Sequence, residues 1–415
     1  MSFNFEVWPL SRPTPVASQG QLRHTDCSTA AGMRPQKRLI FCAAILLAGL
    51  RSAFGLPGSG PILTNAAWSG NQFQFTLQGE TNVSYIVESS TDLRTWTAAI
   101  TNSDSQATRT INASAPGSHG FWRVRSLPGL LFEYAILASG NVNLAGSGRV
   151  DSFNSTNALE STLGQYDPVK ATDRALVGTT SRTPGAVAVG NMQIYGSVAT
   201  GPGGTVTLGP NGGVGTTAFN NNPANRGKIE AGHYFNDANY FIPPATLPND
   251  FGPILPLVGG LYPPVGGTNY KYAVVSEGDY RVSSISLGAG EKMLVNAKAR
   301  LHVLGNTTVL ASGYILLGPD ASLEWHSGGQ VSLGGGGCIN ESRLAQNFLI
   351  VGLSTNTISY SGSSRLIGTI YAPSAAVTLT GTSDAVGAVV CNTFTLSGSM
   401  GLHCDESLKS VGPSR

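Results

Sequence analysis

The sequence contains few charged residues. Only 12% of its 415 residues are Asp, Glu, Lys or Arg, about half of the roughly 25% found in average soluble domains. The 25 basic and 23 acidic residues give a formal net charge of +2, and they form no basic block. Nucleic-acid binding depends on clustered Lys and Arg that contact phosphates. We therefore exclude nucleic acid as a partner.

Long apolar runs are also missing, except for one of 12 residues at positions 39–50. A bilayer-spanning helix needs about 20 residues. Basic residues at 34–38 precede the run and the small-residue site Ala53-Phe54-Gly55 follows it, which predicts a secretory signal starting at Met33. We expect export to remove residues 1–55, leaving a secreted or cell-surface protein with no transmembrane span. A buried core element is the alternative interpretation of the run.

The common motifs of catalytic and cofactor sites are absent. The sequence has no H-E-x-x-H, paired C-x-x-C, G-x-S-x-G or G-x-x-x-x-G-K-[ST] pattern. An Asp-rich nonapeptide that would bind calcium in a solenoid is missing as well. We therefore predict no catalytic residues, no cofactor-binding residues and no metal ligands.

Two polar groups are alternatives to that prediction. Residues His403 to Glu406 include the residue types that bind transition metals. Four consecutive side chains of a strand alternate in direction and cannot converge on one ion, so we interpret them as a polar cap over the last rung. Glu324 and His326 would share an outer strand face beside inward Leu323 and Trp325. An acid–base pair is one interpretation of Glu324 and His326, and a solvated face is the simpler one.

Glycine, in contrast, is abundant, with 53 residues. Between residues 130 and 408 it repeatedly ends short alternating apolar runs. Gly288, Gly305, Gly318 and Gly334 follow one another at a near-constant spacing, and the shortest step, from Gly305 to Gly318, is 13 residues. Short strands that end in glycine turns at such a period predict a coil of stacked rungs. The low charge fits this fold, because like charges in register would repel; a β-sandwich or barrel is the alternative.

Strand alternation also predicts which residues of the rungs point inward. We expect Thr378 to face outward, and we expect the following five leucines to face inward: Leu287, Leu317, Leu333, Leu379 and Leu396.

The chain divides into two β regions. Residues 61–126 contain alternating strands, Trp96 and the closing strand Phe121-Trp-Arg-Val-Arg125, and this set resembles a small fibronectin-type-III-like sandwich. That resemblance implies a spacer or binding module rather than an enzyme. Residues 130–408 form the predicted solenoid, and 409–415 form a polar tail.

A proline-rich stretch interrupts the rungs. Residues 241–264 contain seven prolines, which excludes a central strand. We expect an extended segment that joins an early set of rungs (about 134–210) to a late, more regular set (about 279–402). A flexible interdomain linker is the alternative.

The late rungs resemble a known group of proteins. Gly368-Thr-Ile-Tyr-Ala-Pro373, Gly387-Ala-Val-Val390 and His403-Cys-Asp-Glu-Ser-Leu408 look like the G-x-I-Y-A-P, G-A-V-V and H-x-D-E-x-L rungs of an uncharacterised family of exported bacterial β-solenoid surface proteins. The resemblance implies a right-handed β-helix-like coil at the cell surface and no known reaction. Cys391 and Cys404 depart from the pattern of this family.

The same two cysteines suggest a disulfide. Cys391 and Cys404 are 13 residues apart, within the predicted rung period. Neighbouring rungs lie about 4.8 Å apart, inside the Cα separation of roughly 4.4–6.8 Å that a disulfide bridges. Export supplies an oxidising compartment, so we predict this bond. Two reduced, buried cysteines are the alternative.

Together these features predict an all-β protein with a small β-sandwich followed by a right-handed β-helix-like solenoid. The predicted function is a non-catalytic structural or adhesive element of the cell surface, with surface polysaccharide or other cell-envelope proteins as partners and no cofactor. A carbohydrate-active β-helix enzyme, a polysaccharide lyase or hydrolase, is the less favoured alternative, because carboxylates do not recur at rung spacing.

Overall fold

A computed structural model describes residues 62–69, 72–78, 85–91, 96–102, 108–114, 121–126, 132–238, 242–248, 250–262 and 267–410. The expected signal segment, its cleavage site and residues 411–415 of the polar tail lie outside these ranges. Strands form most of the regular structure of the described residues. The predicted all-β class is confirmed.

The region near the N-terminus contains two antiparallel sheets of three strands each. One sheet has the order β1-β2-β5 and the other β4-β3-β6. Alternate side chains of both sheets form one hydrophobic cluster that includes Phe75, Val87 and Trp122. Because both inner faces are apolar, the two sheets share a core. The strands are β1 (Ile62–Ser69), β2 (Gln72–Gln78), β3 (Tyr85–Ser90), β4 (Thr97–Asn102), β5 (Thr108–Ser114) and β6 (Phe121–Ser126).

The early part of the second region contains ten short strands and one four-residue helix. The elements are β7 (Ile136–Ala138), β8 (Val142–Leu144), β9 (Arg149–Phe153), β10 (Ala175–Thr179), β11 (Val187–Val189), β12 (Gln193–Ala199), β13 (Val206–Leu208), β14 (Gly213–Gly215), α1 (Thr217–Asn220), a 3-10 turn (Pro223–Asn225), β15 (Lys228–Ile229) and β16 (Tyr234–Phe235).

The late part is built in the same way and ends in two long strands and a short one. The elements are β17 (Ile254–Leu255), β18 (Gly260–Tyr262), β19 (Thr268–Tyr270), β20 (Tyr272–Val274), β21 (Gly278–Val282), β22 (Ile285–Leu287), β23 (Lys292–Val295), β24 (Lys298–Val303), β25 (Thr307–Val309), β26 (Tyr314–Leu317), β27 (Ser322–Ser327), β28 (Val331–Leu333), β29 (Gly337–Asn340), a 3-10 turn (Ala345–Asn347), β30 (Phe348–Gly352), β31 (Ile358–Tyr360), β32 (Leu366–Gly381), β33 (Ala385–Gly398), β34 (Leu402–Asp405) and a 3-10 turn (Glu406–Ser410).

Strands β18 and β19 form a separate antiparallel pair. The other strands of the second region pair in parallel and form three ladders. The first ladder stacks β17, β21, β24, β27, β30, β32, β33, β7, β10, β12 and β16, in that order. Alternate residues of the strands point inward, and one inward column includes Tyr280, Leu301, Trp325, Ile350 and Ile370. All five are at most 2% exposed. Each turn of the chain, called a coil below, adds one strand to each ladder and buries its apolar face against its neighbours.

The second ladder runs from β22 through β25, β28, β31, β32, β33, β8 and β11 to β13. The third ladder has two parts: β20 to β29 in the late coils, and β32, β33, β34, β9, β12, β14 and β15. The predicted inward leucines are confirmed, since each is at most 1% exposed: Leu287, Leu317, Leu333, Leu379 and Leu396.

The period of the coil is longer than the glycine spacing suggests. Asp279 and Arg300, which align on neighbouring coils of the first ladder, are 21 residues apart. Along the rest of this ladder up to β33, one coil takes 19–25 residues. The shorter rung period expected from the glycines is therefore wrong. The glycines follow strands of different ladders, so their spacing measures fractions of a coil rather than whole coils.

The coils do not stack in chain order. Strand β33 of the C-terminal coil pairs with β7 and β8 of the N-terminal coil, and β34 pairs with β9. His403 of β34 aligns with Asp151 of β9, 252 residues away. The early coils therefore continue the stack beyond the C-terminal coil, at the opposite end from β17.

Strands β16 and β17 lie at opposite ends of the first ladder, so the chain between them, which includes the first part of the proline-rich stretch, must run back along the stack. Ten ladder steps separate these strands, about 48 Å at 4.8 Å per step. The segment formed by residues 236–253 reaches about 56 Å in a polyproline-like conformation. It packs on the late coils, because Tyr371 donates a hydrogen bond to the Pro243 carbonyl and Arg300 contacts Asp250 at 2.7 Å.

A pair of neighbouring substitutions tests the inward and outward assignment. Leu379 is fully buried, and the adjacent Thr378 is half-buried on the outer face of the second ladder. Replacing Leu379 by alanine is expected to lower the free energy of unfolding by about 2–5 kcal/mol, while Thr378→Ala is expected to change it by no more than about 0.5 kcal/mol. Urea denaturation of both variants measures the difference. Equal effects would contradict the assignment.

Candidate functional site

The densest cluster of titratable side chains lies where the C-terminal and N-terminal coils meet. Strands β34 and β9 are neighbours in the third ladder, and their register places His403 beside Asp151. The His403 Nδ1 and Asp151 Oδ1 atoms are 2.5 Å apart, and both side chains are nearly fully buried. A buried charge needs such a partner, so each residue accounts for the burial of the other.

An irregular loop between β9 and β10 closes the inner side of this cluster. It places the Tyr166 ring parallel to the His403 imidazole, with 3.6 Å between ring centroids. The Tyr166 hydroxyl donates a 2.8 Å hydrogen bond to Asp151 and accepts one from Arg149. The Arg149 Nε atom lies 2.9 Å from Asp151 Oδ2. Asp151 is therefore shared by a histidine, a tyrosine and an arginine.

The outer side of the cluster opens into a cleft of about 390 Å³. Asp384, which precedes β33, accepts a 2.9 Å hydrogen bond from the Gly401 backbone N–H. Its Oδ2 atom lies 3.4 Å from His403 Nε2 and 3.7 Å from the Arg365 guanidinium. These are ion-pair distances, longer than those of charge-assisted hydrogen bonds. Gly401 keeps the cleft open, because a Cβ at this position would lie 3.1 Å from both Asp384 and His403.

The electrostatics of the cluster favour the charged forms of His403 and Asp384 and the neutral form of Tyr166. Burial lowers the pKa of His403, but Asp151 and Asp384 outweigh this effect and the pKa lies above its usual value. The neighbouring imidazole is the largest influence on Asp384 and, with the Gly401 N–H and Arg365, lowers the pKa of Asp384 to about 2. Burial and the Asp151 charge raise the pKa of Tyr166.

The arrangement can hold charge, but it is poorly suited to proton transfer. A general acid or base works best when its pKa lies near the operating pH, and the pKa of Asp384 is about 2. The Nδ1 atom of His403 is hydrogen-bonded to Asp151, and Tyr166 covers one face of the His403 ring. Across the described ranges, no group of three or more His, Cys, Asp or Glu side chains has a geometry that could hold a metal ion.

The other residues of the 403–406 run point to different partners. Cys404 is buried in the hydrophobic core. Asp405 accepts 3.0 Å hydrogen bonds from two backbone N–H groups, and Glu406 binds the Arg174 guanidinium at 2.9 Å. The interpretation as a polar cap over the last rung is wrong, because β9 stacks on β34 and buries it.

Glu324 and His326 also differ from the expected solvated face. The His326 Nε2 atom lies 3.1 Å from Glu324 Oε1, and the imidazole is fully buried. The Phe251 ring of the proline-rich segment covers it edge-on, with 6.1 Å between ring centroids. The His326 imidazole is therefore enclosed beneath a chain segment whose position sequence patterns do not reveal, while the Glu324 side chain is 17% exposed. Leu323 and Trp325 point inward as predicted.

The structure does not bring Cys391 and Cys404 together. Both are free thiols buried in the core. In the register of β33 and β34, Leu402 aligns with Ala385, so the two cysteines are offset by four residues, or about 13 Å along the strands. A disulfide bridges Cα atoms up to roughly 6.8 Å apart. The physical reason for the mismatch is that the chain between the two cysteines is shorter than one coil.

We therefore expect free thiols at both positions. Burial raises the pKa of each thiol, which also suppresses the reactive thiolate form. Alkylation after unfolding without reductant, followed by mass spectrometry, should label Cys391 and Cys404 fully. A linked peptide pair would show that the predicted disulfide forms.

Sequence reasoning missed Asp151, Tyr166, Arg149 and Asp384 as neighbours of His403. Arg149 and Asp151 lie on β9, Tyr166 lies in the loop after it, and Asp384 directly precedes β33. The proximity of the first three to His403 depends on the non-sequential stacking of the coils. Tyr166 carried no signal, because the loop that holds it interrupts the periodic pattern. Asp151 carried no distinctive signal either, because the five-residue strand β9 also contains Arg149 and Ser152.

Comparison with known proteins reaches only the late part of the chain. Residues 273–411, about one third of the sequence, match a family described as "Domain of unknown function (DUF7305)". No curated protein and no solved structure matches the chain. The match includes the late rungs on which the β-solenoid resemblance rests, and its description assigns no function. It does not extend to the sandwich region.

In the part of the chain that the structure describes, no helix is both long enough and apolar enough to cross a bilayer.

Proposed function

We propose that residues 132–410 form a right-handed β-helix. The parallel pairing in three ladders supports this proposal, because each coil is a strand–connection–strand unit. Parallel strands joined within one sheet cross over with right-handed geometry in about 98% of cases. The fibronectin-type-III-like identity of residues 61–126 belongs to the same proposal, and it is supported by two three-stranded sheets with a shared core.

The chain then acts as an exported, non-catalytic structural or adhesive element of the cell surface. One observation carries this proposal: the titratable groups that could do chemistry are paired with one another across the junction of the two ends of the coiled region. Asp151 binds His403, and Arg174 binds Glu406. These ion pairs join the C-terminal part of the chain to the early coils rather than pointing into open space, as expected of groups that hold a stack of coils together.

The predicted signal segment supports export to the cell surface. The sandwich near the N-terminus then serves as a spacer. Expected partners are surface polysaccharide or other cell-envelope proteins. The low charge of the chain suits long stacks of strands, because side chains of successive coils lie in register and repeated like charges would repel.

Two measurements on the full chain test this proposal. N-terminal sequencing of the exported protein should find a mature start near residue 56, and antibody labelling of intact cells should detect the chain, whereas a variant lacking residues 1–55 should stay inside the cell. Incubation with a panel of polysaccharides should release no new reducing ends. Retention of residues 39–50 in the mature chain, or catalytic depolymerisation, would contradict the proposal.

A carbohydrate-active enzyme is the second candidate function. The observation that favours it is the cleft beside Asp384, whose carboxylate is 33% exposed. The same depolymerisation assay decides between the two candidates, with Asp384→Asn as the variant that should abolish cleavage if this candidate is correct.

A further inference from the structure

The cleft beside His403 has the chemistry of a binding site. Its walls carry two guanidinium groups, Arg149 and Arg365, whose side chains are 35% and 47% exposed. Between them lie Asp384 and the floor formed by Gly401 and His403. Tyr166 also lines the cleft, with one face of its ring stacked on His403.

The two guanidinium groups of the cleft differ in how firmly they are held. Arg149 is held by Asp151 and Tyr166, and His403 lies between Asp151 and Asp384. Arg365 has a single acidic neighbour, Asp384, at 3.7 Å, and makes no side-chain hydrogen bond within the part of the chain that the structure describes. The Arg365 guanidinium therefore keeps hydrogen-bond donors available at the rim of the cleft.

We propose that this cleft binds an acidic sugar, with Arg365 holding the carboxylate of a uronic acid unit. A guanidinium binds a carboxylate through two parallel hydrogen bonds. The carboxylate of Asp384, which is 33% exposed, accepts hydrogen bonds from sugar hydroxyls. The side-chain amide of Gln193, which also lines the cleft, can donate hydrogen bonds to them or accept hydrogen bonds from them. A dianion such as phosphate fits less well, because the same Asp384 carboxylate would repel it.

Two glycines line the cleft. A Cβ at Gly401 would lie 3.1 Å from Asp384 and His403, so this glycine keeps the space between them free, whereas Gly148 allows its backbone to approach the Met400 carbonyl closely. The hydroxyls of Ser147 and Ser399 line the rim and add hydrogen-bonding groups of the type that bind neutral parts of a sugar chain. This inference rests on the proposed adhesive function and names its ligand class.

Isothermal titration calorimetry of the full exported chain tests the inference with four probes. These are an oligogalacturonate, the same oligosaccharide with its carboxylates reduced to alcohols, an acidic peptide of similar charge, and inorganic phosphate. We expect the oligogalacturonate to bind at least tenfold more tightly than each other probe, because hydrogen bonds to charged groups contribute about this factor or more.

Arg365→Ala should weaken oligogalacturonate binding at least about tenfold, and Arg365→Lys should weaken it less, because the charge remains but the two-pronged geometry is lost. The matched control is Arg182→Ala, an exposed arginine that does not line the cleft; it should bind like the parent chain. Thermal melts of all variants should coincide, since Arg365 is solvent-exposed.

Each other outcome overturns the inference. Equal binding of the reduced oligosaccharide would remove the role of the carboxylate, and equal binding of the peptide or of phosphate would indicate a general anion site. Unchanged binding by Arg365→Ala would place the ligand elsewhere. Absence of binding without cleavage contradicts this inference alone, whereas release of reducing ends in the same mixtures contradicts the proposed non-catalytic function.

Discussion

Replacing Asp151 by alanine is expected to lower the free energy of unfolding by about 3–5 kcal/mol, the usual cost of removing one partner of a buried ion pair. Asp151 is 2% exposed and lies within 3 Å of His403, Arg149 and Tyr166. Its loss leaves His403 and Arg149 without their closest counter-charge at the junction of β9 and β34. Urea denaturation followed by circular dichroism measures the change.

The matched control is Asp320→Ala, an exposed aspartate in a turn. Surface substitutions of this kind change stability by no more than about 0.5 kcal/mol. A loss of less than about 1 kcal/mol in Asp151→Ala, well below the buried-pair range, would contradict the view that this cluster fastens the two ends of the coiled region together.

The same cluster should make stability depend on pH in two windows. The pKa of His403 is raised in the folded chain, so its contribution is complete below its unfolded pKa of about 6.5 and is lost as the pH rises through the folded value. Asp384 has a lowered pKa of about 2. Its contribution is complete above its unfolded pKa of about 4 and is lost as the pH falls towards 2. In His403→Gln the upper window should disappear.

The local part of this structure was predictable because strand alternation is a local property. Leu333 and Leu379 follow the two-residue period of a strand, and both are buried as expected. The scarcity of charge was also a sound indicator of in-register stacking. The outward column of the second ladder carries no charge at all: Ser286, Thr308, Ser332, Ser359, Thr378, Thr395, Asn143, Ala188 and Thr207.

Where charges do occur on neighbouring coils, their signs alternate. Asp279, Arg300 and Glu324 occupy one outward column of the first ladder, and Arg300 lies 2.7 Å from Asp279. This pattern was invisible in the sequence, because the length of the coil varies along the stack and the register follows from no fixed period. Charges on neighbouring coils can be matched only when the register of their strands is known.

The candidate site was unpredictable for a related reason. His403 and Asp151 are 252 residues apart, and a chain read from one end to the other gives no reason for the last strand to pair with the third strand of the first coil. Sequence patterns specify which face of a strand is apolar, whereas the partner of an edge strand depends on which other edges remain open. The stack places β9 on the open edge of β34.

The non-sequential junction predicts that the late coils will not fold without the early ones. A fragment of residues 242–410 lacks β7, β8 and β9, so it exposes the edges of β33 and β34 and leaves His403 without Asp151. Unpaired apolar edges of this length promote aggregation. We expect the fragment to be insoluble or unfolded, and co-expression with residues 132–238 should restore a soluble complex.

A circular permutant supplies the decisive form of this experiment. Phe132 and Leu408 belong to one hydrophobic cluster, so a short Gly/Ser linker can join residue 410 to residue 132, and the new ends can open between residues 238 and 242. The permuted order, 242–410 followed by 132–238, turns the junction into a sequential connection while keeping every ladder intact.

The permutant should melt within a few degrees of an unpermuted chain of residues 132–410, while the fragment 242–410 shows no cooperative transition. If the fragment alone melted cooperatively at the same temperature, the pairing of β33 and β34 with the N-terminal coil would contribute little to the fold, and the buried Asp151–His403 pair could not be what holds the two ends of the coiled region together.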